Sequence, residues 1–376
     1  MNSKRYLVLG AGVGKAIAYF LASSPRTQQV TIADIDSRKV FEIYRFITEL
    51  FGSKCALMIL DIETETIQNL VQIFKEYDVV ISALPAKYNF HLAEAAIKAG
   101  VHFCDLGGVV EVTKKMLDLN KKYPNTHSSV VPDCGLMPGL GIVIAKKLMD
   151  DLGGTESIEI LVGGLPQKPQ PPTFYQLVYN PEGLRHICYD PAPILVEGEI
   201  KLVPPFCGYD CIFDIKELNK FSKIFKGWIE TFVTAGSSVA AWSFQKLGVN
   251  NFVVKTVRWP GFAGFFKKVP ADKFEQVVKQ HLTIPVDAEN PDLVWMRVTV
   301  QNSSTKKSMS LLDLFDPKTG LTAMQRTTGF ITAIIAEMMT EGKAKPGINT
   351  PENAFDPLNT KEIINRASKF FALTEN

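Results

Sequence analysis

The sequence predicts an α/β fold, with a Rossmann-type doubly wound parallel sheet and an inserted second α+β domain built on a mostly antiparallel or mixed sheet. Two observations predict the first part. An early apolar run ends in a glycine cluster, and further apolar runs then alternate with amphipathic helical patterns up to residue 131. A third observation predicts the second domain, because from Ser157 onward the apolar pattern has a period of two and short turns link the runs.

The length of the chain also favours two domains. Its 376 residues exceed what a single hydrophobic core usually serves. We place a dinucleotide-binding domain at residues 1–131 plus 322–376, and a substrate-binding and dimerisation domain at residues 132–321. The apolar stretch 321–340 predicts a largely buried helix that packs back against the first domain.

The glycine cluster follows the apolar run 6–9 and precedes an apolar helical pattern, which is typical of a strand that turns tightly into a helix. Free N–H groups and the positive dipole end of such a helix suit a pyrophosphate. Lys15 stands where the usual G-x-G-x-x-G pattern has its third glycine, so we expect Gly14 to make the close helix–strand contact. A mononucleotide loop is excluded, because it needs glycine where Leu9 stands and Ser or Thr where Ala16 stands. The predicted cofactor contacts of the loop are Gly10, Ala11, Gly12, Val13, Gly14 and Lys15.

A second apolar run, 30–33, ends at Asp34, the position at which a carboxylate meets the adenosine ribose of a dinucleotide. A carboxylate repels a 2′-phosphate, so NAD is the predicted cofactor. Arg38, one helical turn further on, keeps NADP as an alternative. Ligands of parallel sheets bind at the carboxyl ends of the strands, and the residues there complete the predicted cofactor site. They are Ile35, Asp61, Ile62, Ala83, Leu84, Pro85, Asp105, Leu106 and Gly107.

Composition excludes several other classes of protein. A net charge of +2 without a polybasic tail provides no electrostatic footprint for nucleic acid. No run of about 18 apolar residues predicts a membrane span, and the first strand begins too early for a signal peptide, so we expect a cytoplasmic protein. The 6 cysteines are too sparse for a disulfide framework, and the 5 histidines have no metal-ligand spacing, so no metal site is predicted.

Five segments, in order along the chain, resemble the saccharopine dehydrogenase-like oxidoreductases and most closely their lysine 6-dehydrogenase branch. They are residues 6–34, 105–108, 132–140, 255–261 and 316–329. The resemblance implies NAD(P)-dependent oxidation of a C–N bond in a lysine-related amino acid, with an imine intermediate. It also implies a Rossmann domain completed by C-terminal helices, a small amino-acid substrate and a homodimer formed with help from the inserted domain.

Three residues are the main candidates for binding and proton transfer. Asp105 and Asp133 each follow a buried strand, where a carboxylate can accept a proton or bind an amine. Arg258 is the candidate for the substrate carboxylate, because a guanidinium binds a carboxylate in a bidentate fork. The alternative for both aspartates is a turn or helix-capping role.

Three further candidates carry weaker signals. Lys255 lies three positions before Arg258, so on a regular strand the two side chains point to opposite faces. A solvated charge at a strand edge is its alternative role. Thr234 and Thr327 are candidates for hydrogen bonds to substrate or nicotinamide, with helix-start roles as the alternative.

The substrate stays open at two positions. Lysine-oxidising members of the resembled family commonly carry histidine where this chain has Val233 and Phe262. One alternative is therefore an imine-reducing enzyme like saccharopine reductase, which joins an amino acid to an aldehyde or keto acid. Another is a catalytically altered dinucleotide-binding protein that serves as a sensor or assembly subunit.

Overall fold

The computed structural model describes residues 3–222 and 224–375, and they divide into two compact units. The first consists of the chain up to Val143 together with Gln325–Lys369. The second consists of Ile144–Met324 together with the chain from Phe370 onward. Each unit has its own sheet. The predicted segment boundaries, 131/132 and 321/322, differ from these because the helices that follow them belong partly to each unit.

The first unit begins with strands and helices in alternation, as the sequence predicts. The elements up to the start of the second unit are β1 (Lys4–Leu9), α1 (Gly14–Ser23), β2 (Thr27–Asp34), α2 (Ser37–Phe51), β3 (Cys55–Ile59), α3 (Ile67–Phe74), β4 (Val79–Ser82), α4 (Asn89–Ala99), β5 (His102–Asp105), α5 (Val110–Lys122), β6 (Ser129–Val131) and α6 (Leu140–Asp151). Helix α2 has the predicted bounds because Asp36 caps its N-terminus and Gly52, with φ of 68°, ends it.

The second unit contains mainly strands paired by short turns. Its elements up to the last long helix are β7 (Ser157–Pro166), α7 (Pro181–Tyr189), β8 (Ala192–Val196), β9 (Glu199–Val203), β10 (Asp210–Ile212), β11 (Ile229–Val233), α8 (Ala240–Lys246), β12 (Asn251–Arg258), α9 (Phe262–Phe266), α10 (Phe274–His281), β13 (Asp292–Gln301) and β14 (Lys306–Leu314). The predicted turns at 197–198 and 302–305 connect β8 to β9 and β13 to β14.

The C-terminal part of the chain contains α11 (Ala323–Thr340), β15 (Gly347–Ile348), α12 (Pro351–Ala354), α13 (Pro357–Ala367) and β16 (Ala372–Glu375). The sequence analysis expected only helices after residue 340. Instead β15 pairs with β6 in the first sheet, and β16 pairs with β14 in the second. Strands of two and four residues are too short for a periodic pattern, so only their pairing partners make them strands.

The first sheet is parallel throughout, and within the described residues its strand order is β15-β6-β5-β4-β1-β2-β3. The chain proceeds outward from β1 to β3 and then returns to the other side of β1. The strand order therefore reverses between β1 and β4, and such a switch point is where doubly wound sheets bind ligands. The Rossmann-type fold predicted for this part of the chain is confirmed.

The third apolar run is a correction. It was expected to form a strand covered on both faces, but β3 lies at the edge of the sheet, and Leu57 and Ile59 are exposed. An apolar run is compatible with full burial, and only strand order determines whether a second layer covers it.

The second sheet is mixed, as predicted. Its path is β10-β11-β12-β7-β13-β14-β16, with β8 attached to β12 and β9 attached to β8. Strands β12 and β7 are parallel, and the remaining pairs are antiparallel. In the described part of the chain, no helix has the length and apolar character needed to cross a membrane.

Candidate functional site

The loop between β1 and α1 approaches the neighbouring strand closely at Gly10. Its φ is +102°, and a Cβ there would lie 2.7 Å from the carbonyl oxygen of Ala83, which follows β4. The N–H of Gly10 donates to the carbonyl oxygen of Ala33 at 2.7 Å. Only glycine fits both the backbone conformation and the space, so this position holds the loop against the ends of β2 and β4.

The next two glycines have different surroundings. A Cβ on Gly12 would meet nothing within 4 Å, so the backbone there faces open space. A Cβ on Gly14 would lie 3.1 Å from Val8 Cγ1 and 3.2 Å from Ile32 Cδ1. Gly14 therefore makes the close contact between α1 and the sheet, and the Lys15 ammonium is placed 4.7 Å from the centre of the Phe46 ring.

The carboxylate of Asp34 lies beside this loop. Its Oδ2 accepts a hydrogen bond from the N–H of Ala11 at 2.7 Å, and its Oδ1 accepts one from the N–H of Asp36 at 2.9 Å. These two bonds fix the orientation of the carboxylate at the end of β2. Asp36 in turn caps α2 by accepting from the N–H groups of Arg38 and Lys39.

An open cleft lies at the carboxyl ends of β1, β2 and β3. It brings together five predicted cofactor residues, namely Asp34, Ile35, Asp61, Ile62 and Leu84. The other lining residues are Leu9, Ala33, Leu60, Glu63 and Tyr88. Sequence reasoning missed Glu63 and Tyr88, whose side chains hydrogen-bond to each other. The position of Glu63, two residues after Asp61, was a signal for it, whereas Tyr88 lies in a turn that the apolar pattern does not locate.

The residues around the glycine loop fit a dinucleotide. Within the described residues, no side chain caps the N-terminus of α1, although Asp36, Thr66, Asn180 and Asp356 cap other helices. The uncapped first turn and the open space at Gly12 leave room for a pyrophosphate. The cleft at Asp34 has the apolar walls and the carboxylate that an adenosine needs.

Two buried carboxyl groups lie at the carboxyl ends of β5 and β6, on the other side of β1 from this cleft. Asp105 Oδ1 accepts the backbone N–H of Asp133 at 3.0 Å. Asp133 Oδ1 accepts the N–H of Gly108 and the hydroxyl of Thr113, both at 3.2 Å. Asp133 has a φ of 65°, which is uncommon for a residue other than glycine.

The surroundings of Asp105 disfavour its charged form. Burial, reinforced by the negative charge of Asp133, raises its pKa to about 8, although hydrogen bonds from backbone groups of Asp133 and Gly107 act in the opposite direction. In the described part of the chain, Asp105 Oδ2 is buried and has no hydrogen-bond partner. Asp105 is therefore mostly protonated at neutral pH.

Thr327 belongs to the first unit and is completely buried on α11. Its neighbours in sequence pack closely, because a Cβ on Gly329 would lie 2.9 Å from Ala16 Cβ of α1. Gln325 Nε2 donates to the carbonyl oxygen of Gly12 at 3.2 Å. The expectation that this apolar helix packs against the first part of the chain is confirmed.

The second unit contains Arg258 at the end of β12. Its guanidinium carbon lies 4.7 Å from the centre of the Tyr175 ring and 5.1 Å from that of Phe262. Its Nη1 donates to the carbonyl oxygen of Val257 at 2.7 Å, and its Nη2 donates to Tyr179 Oη at 3.2 Å. Its buried Nε has no partner among the described residues. The side chain thus retains a donor for an anion, but it is only 1% exposed.

Lys255 and Thr234 also lie in the second unit. Lys255 Nζ forms an ion pair with Glu159 Oε1 at 3.1 Å across the parallel strands β12 and β7. This contact agrees with the alternative of a charge at the sheet surface. Thr234 is buried directly after β11. The six predicted polar residues are therefore divided, with Asp105, Asp133 and Thr327 in the first unit and Arg258, Lys255 and Thr234 in the second.

The two positions at which relatives carry histidine are apolar and buried. Phe262 is fully buried, with its ring stacked on Phe232 at 5.9 Å. Val233 is 4% exposed and ends β11. No titratable side chain replaces the two imidazoles at these positions.

A parallel doubly wound sheet with a glycine loop, followed by a mixed sheet, defines a two-domain α/β protein of the Rossmann class. Two family models match the chain. The saccharopine dehydrogenase NADP binding domain matches residues 6–131, and the saccharopine dehydrogenase C-terminal domain matches residues 135–369. The chain belongs to the saccharopine dehydrogenase family.

Individual relatives are distant. The chain is 21% identical to the mitochondrial alpha-aminoadipic semialdehyde synthase of Rattus norvegicus over 91% of the chain and 44% of that protein. It is 24% identical to the saccharopine dehydrogenase [NADP(+), L-glutamate-forming] of Schizosaccharomyces pombe, over 78% of the chain and 63% of that protein. The chain thus spans about half the length of the curated relatives it matches.

A solved structure shows the same fold. Apo saccharopine dehydrogenase (L-Glu forming) from Saccharomyces cerevisiae matches all of this chain and 99% of its own, with a TM-score of 0.76 and 16% identity. The combined two-domain architecture is therefore that of this relative.

Proposed function

We propose that this chain is a nicotinamide-dinucleotide-dependent oxidoreductase that acts on a C–N bond of a lysine-related amino acid. One observation carries the proposal. The carboxyl edge of a single parallel sheet holds the glycine loop and the Asp34 cleft at β1–β3, and two buried carboxyl groups at β5 and β6.

The strand order assigns the two ends of the cofactor. An adenosine in the Asp34 cleft and a pyrophosphate at the α1 N-terminus direct the rest of a dinucleotide toward β4 and β5. Adjacent strands are about 4.8 Å apart, so β5 lies about 10 Å from β1, within the reach of a nicotinamide riboside. Asp105 and Asp133 therefore lie on the nicotinamide side of the sheet.

The chemistry requires a proton acceptor beside the reacting carbon. A bound nicotinamide supplies the hydride acceptor, and the imine formed from the substrate is then hydrolysed by water. The substrate nitrogen must lose a proton before hydride can leave, which is a task for a carboxylate within hydrogen-bond reach. We assign this task to the Asp105–Asp133 pair, and assign the substrate carboxylate to Arg258, whose Nε is unpaired among the described residues.

For the cofactor we propose NAD in preference to NADP. Asp34 holds a fixed carboxylate in the cleft, and Asp36 places a second one two residues later. Two negative charges disfavour a 2′-phosphate. The alternative is NADP, which appears in the printed names of one family model and of the Schizosaccharomyces pombe relative.

A second candidate function is the reductive formation of a secondary amine from an amino acid and an aldehyde or keto acid. The burial of Val233 and Phe262 supports it, because the imidazoles of the lysine-oxidising branch have no replacement there. The relatives named saccharopine dehydrogenase act on such a secondary amine. The lysine 6-dehydrogenase branch therefore remains a prediction.

The test is an assay of the full chain at the nicotinamide absorbance, with NAD and NADP compared. The oxidative panel contains lysine, ornithine, diamines and saccharopine, and the reductive panel pairs amino acids with aldehydes and keto acids. Turnover of lysine alone supports the lysine 6-dehydrogenase branch, and turnover of saccharopine or only of the reductive pairs supports the second candidate. Cofactor binding without any turnover contradicts both and favours a dinucleotide sensor.

A further inference from the structure

Two aspartates in direct contact lie in a part of the fold that excludes water. Asp105 is 1% exposed and Asp133 is 3% exposed. The link between them is the hydrogen bond from the Asp133 backbone N–H to Asp105 Oδ1. A carboxyl group at either position is costly unless it is neutral or well solvated by protein groups.

The protein solvates the two groups unequally. Asp133 Oδ1 accepts hydrogen bonds from Gly108 and Thr113, which stabilise a negative charge. Asp105 accepts at Oδ1, while its Oδ2 has no partner among the described residues. A protonated Oδ2 is a donor that can bind a neighbouring oxygen, whereas an ionised one is an uncompensated buried charge.

The backbone holds Asp133 in place. Gly107 has a φ of +66°, and a Cβ there would overlap the Asp133 carboxylate. The uncommon φ of Asp133 also fixes the direction of its side chain. A glycine beside a strained aspartate indicates that the local backbone is arranged around this carboxylate.

No cation near Asp105 offsets its charge. The titratable groups that interact within this cluster are Asp133 and the thiols of Cys104 and Cys134. Burial keeps the Cys134 thiol protonated by raising its pKa. On the adjacent elements, Ser82 of β4 is the register partner of Asp105, and Thr113 lies on α5, so both contribute only hydroxyl groups.

We propose that Asp105 and Asp133 form a proton-sharing carboxyl pair, in which Asp105 retains the proton and Asp133 carries a single negative charge that accepts the proton of the substrate amine. The second half of this statement rests on the proposed function. Asp133 is then the catalytic residue of the pair, and Asp105 is a positioning residue that holds its backbone.

The step is an acid–base reaction. An N–H bond of the substrate's ammonium group breaks, and an O–H bond forms on a carboxylate oxygen of Asp133. The nitrogen retains the electron pair, so nothing is oxidised or reduced in this step. The proton passes to water after the product leaves, which restores the single negative charge.

The first test is a carboxyl ¹³C NMR titration of the full chain labelled at aspartate, which needs no turnover. The signal lost in Asp105→Asn should titrate near pH 8 in the wild type, because burial and Asp133 disfavour its ionisation. The same signal should titrate at least one pH unit lower in Asp133→Asn, because the neighbouring charge is removed. A wild-type midpoint near pH 4, or a midpoint that does not move in Asp133→Asn, overturns the pair.

The second test separates the two roles. Asparagine at 105 keeps the neutral side chain and the acceptor for the Asp133 N–H, so kcat should fall less than about tenfold, whereas Asp133→Asn should lower kcat about 100-fold or more. Circular dichroism checks folding, and if Asp133→Asn does not fold, the wild-type midpoint alone decides. An equal loss in both variants overturns the division of roles. A shifted midpoint without turnover of any amine supports the shared proton and contradicts the proposed function.

Discussion

Asp34 shows how one carboxylate serves the protein and a ligand together. Both of its oxygens accept backbone N–H groups, from Ala11 in the glycine loop and from Asp36 at the start of α2. It also lines the cleft at the ends of β2 and β3. The side chain thus orders the loop and provides a negative charge at the position of the ribose.

We expect Asp34→Ala to weaken NAD binding about 5- to 30-fold, because loss of a hydrogen bond to a charged group costs about 1–2 kcal/mol. Isothermal titration calorimetry on the full chain measures this effect. Asp118→Ala is the matched control, since Asp118 is an exposed aspartate paired with Lys121 on α5. Unchanged NAD affinity in Asp34→Ala would remove Asp34 from the cofactor site.

Arg258 presents a buried guanidinium with aromatic neighbours and one unpaired donor among the described residues. Arg258→Lys keeps the charge but loses the planar fork that binds a carboxylate at two points. The KM for a carboxylate substrate should rise about tenfold or more, while the Kd for NAD stays constant.

The control for this variant is Arg185→Lys, because Arg185 on α7 donates to the carbonyl oxygen of Ala271 at the surface. Thermal unfolding of both variants shows whether the fold persists. A folded Arg258→Lys enzyme with the wild-type KM would refute the assigned role of Arg258.

At the scale of elements, α11 depends on a glycine for its contact with α1. A Cβ at Gly329 would lie 2.9 Å from Ala16 Cβ and 3.1 Å from the backbone nitrogen of Ile17. Gly329→Ala should therefore lower the free energy of unfolding by about 1–3 kcal/mol, because the two helices must separate to admit one methyl group.

Denaturant unfolding measures this change. Gly264→Ala is the control, since Gly264 lies in helix α9 and a Cβ there would meet nothing within 4 Å. A Gly329→Ala protein as stable as the control would show that the helix contact has room to spare.

Helices α4 and α5 are linked by a buried carboxylate. Glu94 accepts hydrogen bonds from Lys122 Nζ at 2.5 Å and Tyr123 Oη at 2.7 Å. Burial opposes its charge, but these bonds and the charge of Lys98 prevail and lower its pKa to about 2. A pKa lowered in the folded state stabilises the protein above the unfolded value of 4.5, and this stabilisation is lost as the pH falls toward 2.

We expect Glu94→Gln to lower the free energy of unfolding by about 1–3 kcal/mol at pH 7, since a charge-assisted buried network is lost. The difference from wild type should shrink between pH 4.5 and pH 2, which a series of urea denaturation curves measures. Glu49→Gln serves as the control, because the Glu49–Arg45 pair is exposed. A difference that stays constant with pH would exclude ionic stabilisation by Glu94.

At the scale of the whole molecule, the assembly remains a prediction. The resemblance to the family implies a homodimer formed with help from the second sheet. Size-exclusion chromatography with light scattering should therefore give about twice the chain mass of 41.7 kDa. A mass near that of one chain at micromolar concentration would contradict the dimer.

The sequence by itself determined the class of fold and the position of the glycine loop. Period-two and helical apolar patterns are local, so the strands β1, β2, β4 and β5 and the helix α2 follow from neighbouring residues. Asp34 was identified in the same way, because the end of a strand is visible in the pattern and its distance from the loop is fixed by one helix.

Only the tertiary structure decided the features that depend on residues far apart in the chain. The exposure of β3 and the pairing of β16 follow from strand order. The contact of Tyr88 with Glu63 joins the ends of two strands. The pairing of Asp105 with Asp133, and the high pKa of Asp105, arise because β5 and β6 are adjacent and exclude water. Burial and electrostatic coupling are properties of the packed neighbourhood, and local sequence does not contain them.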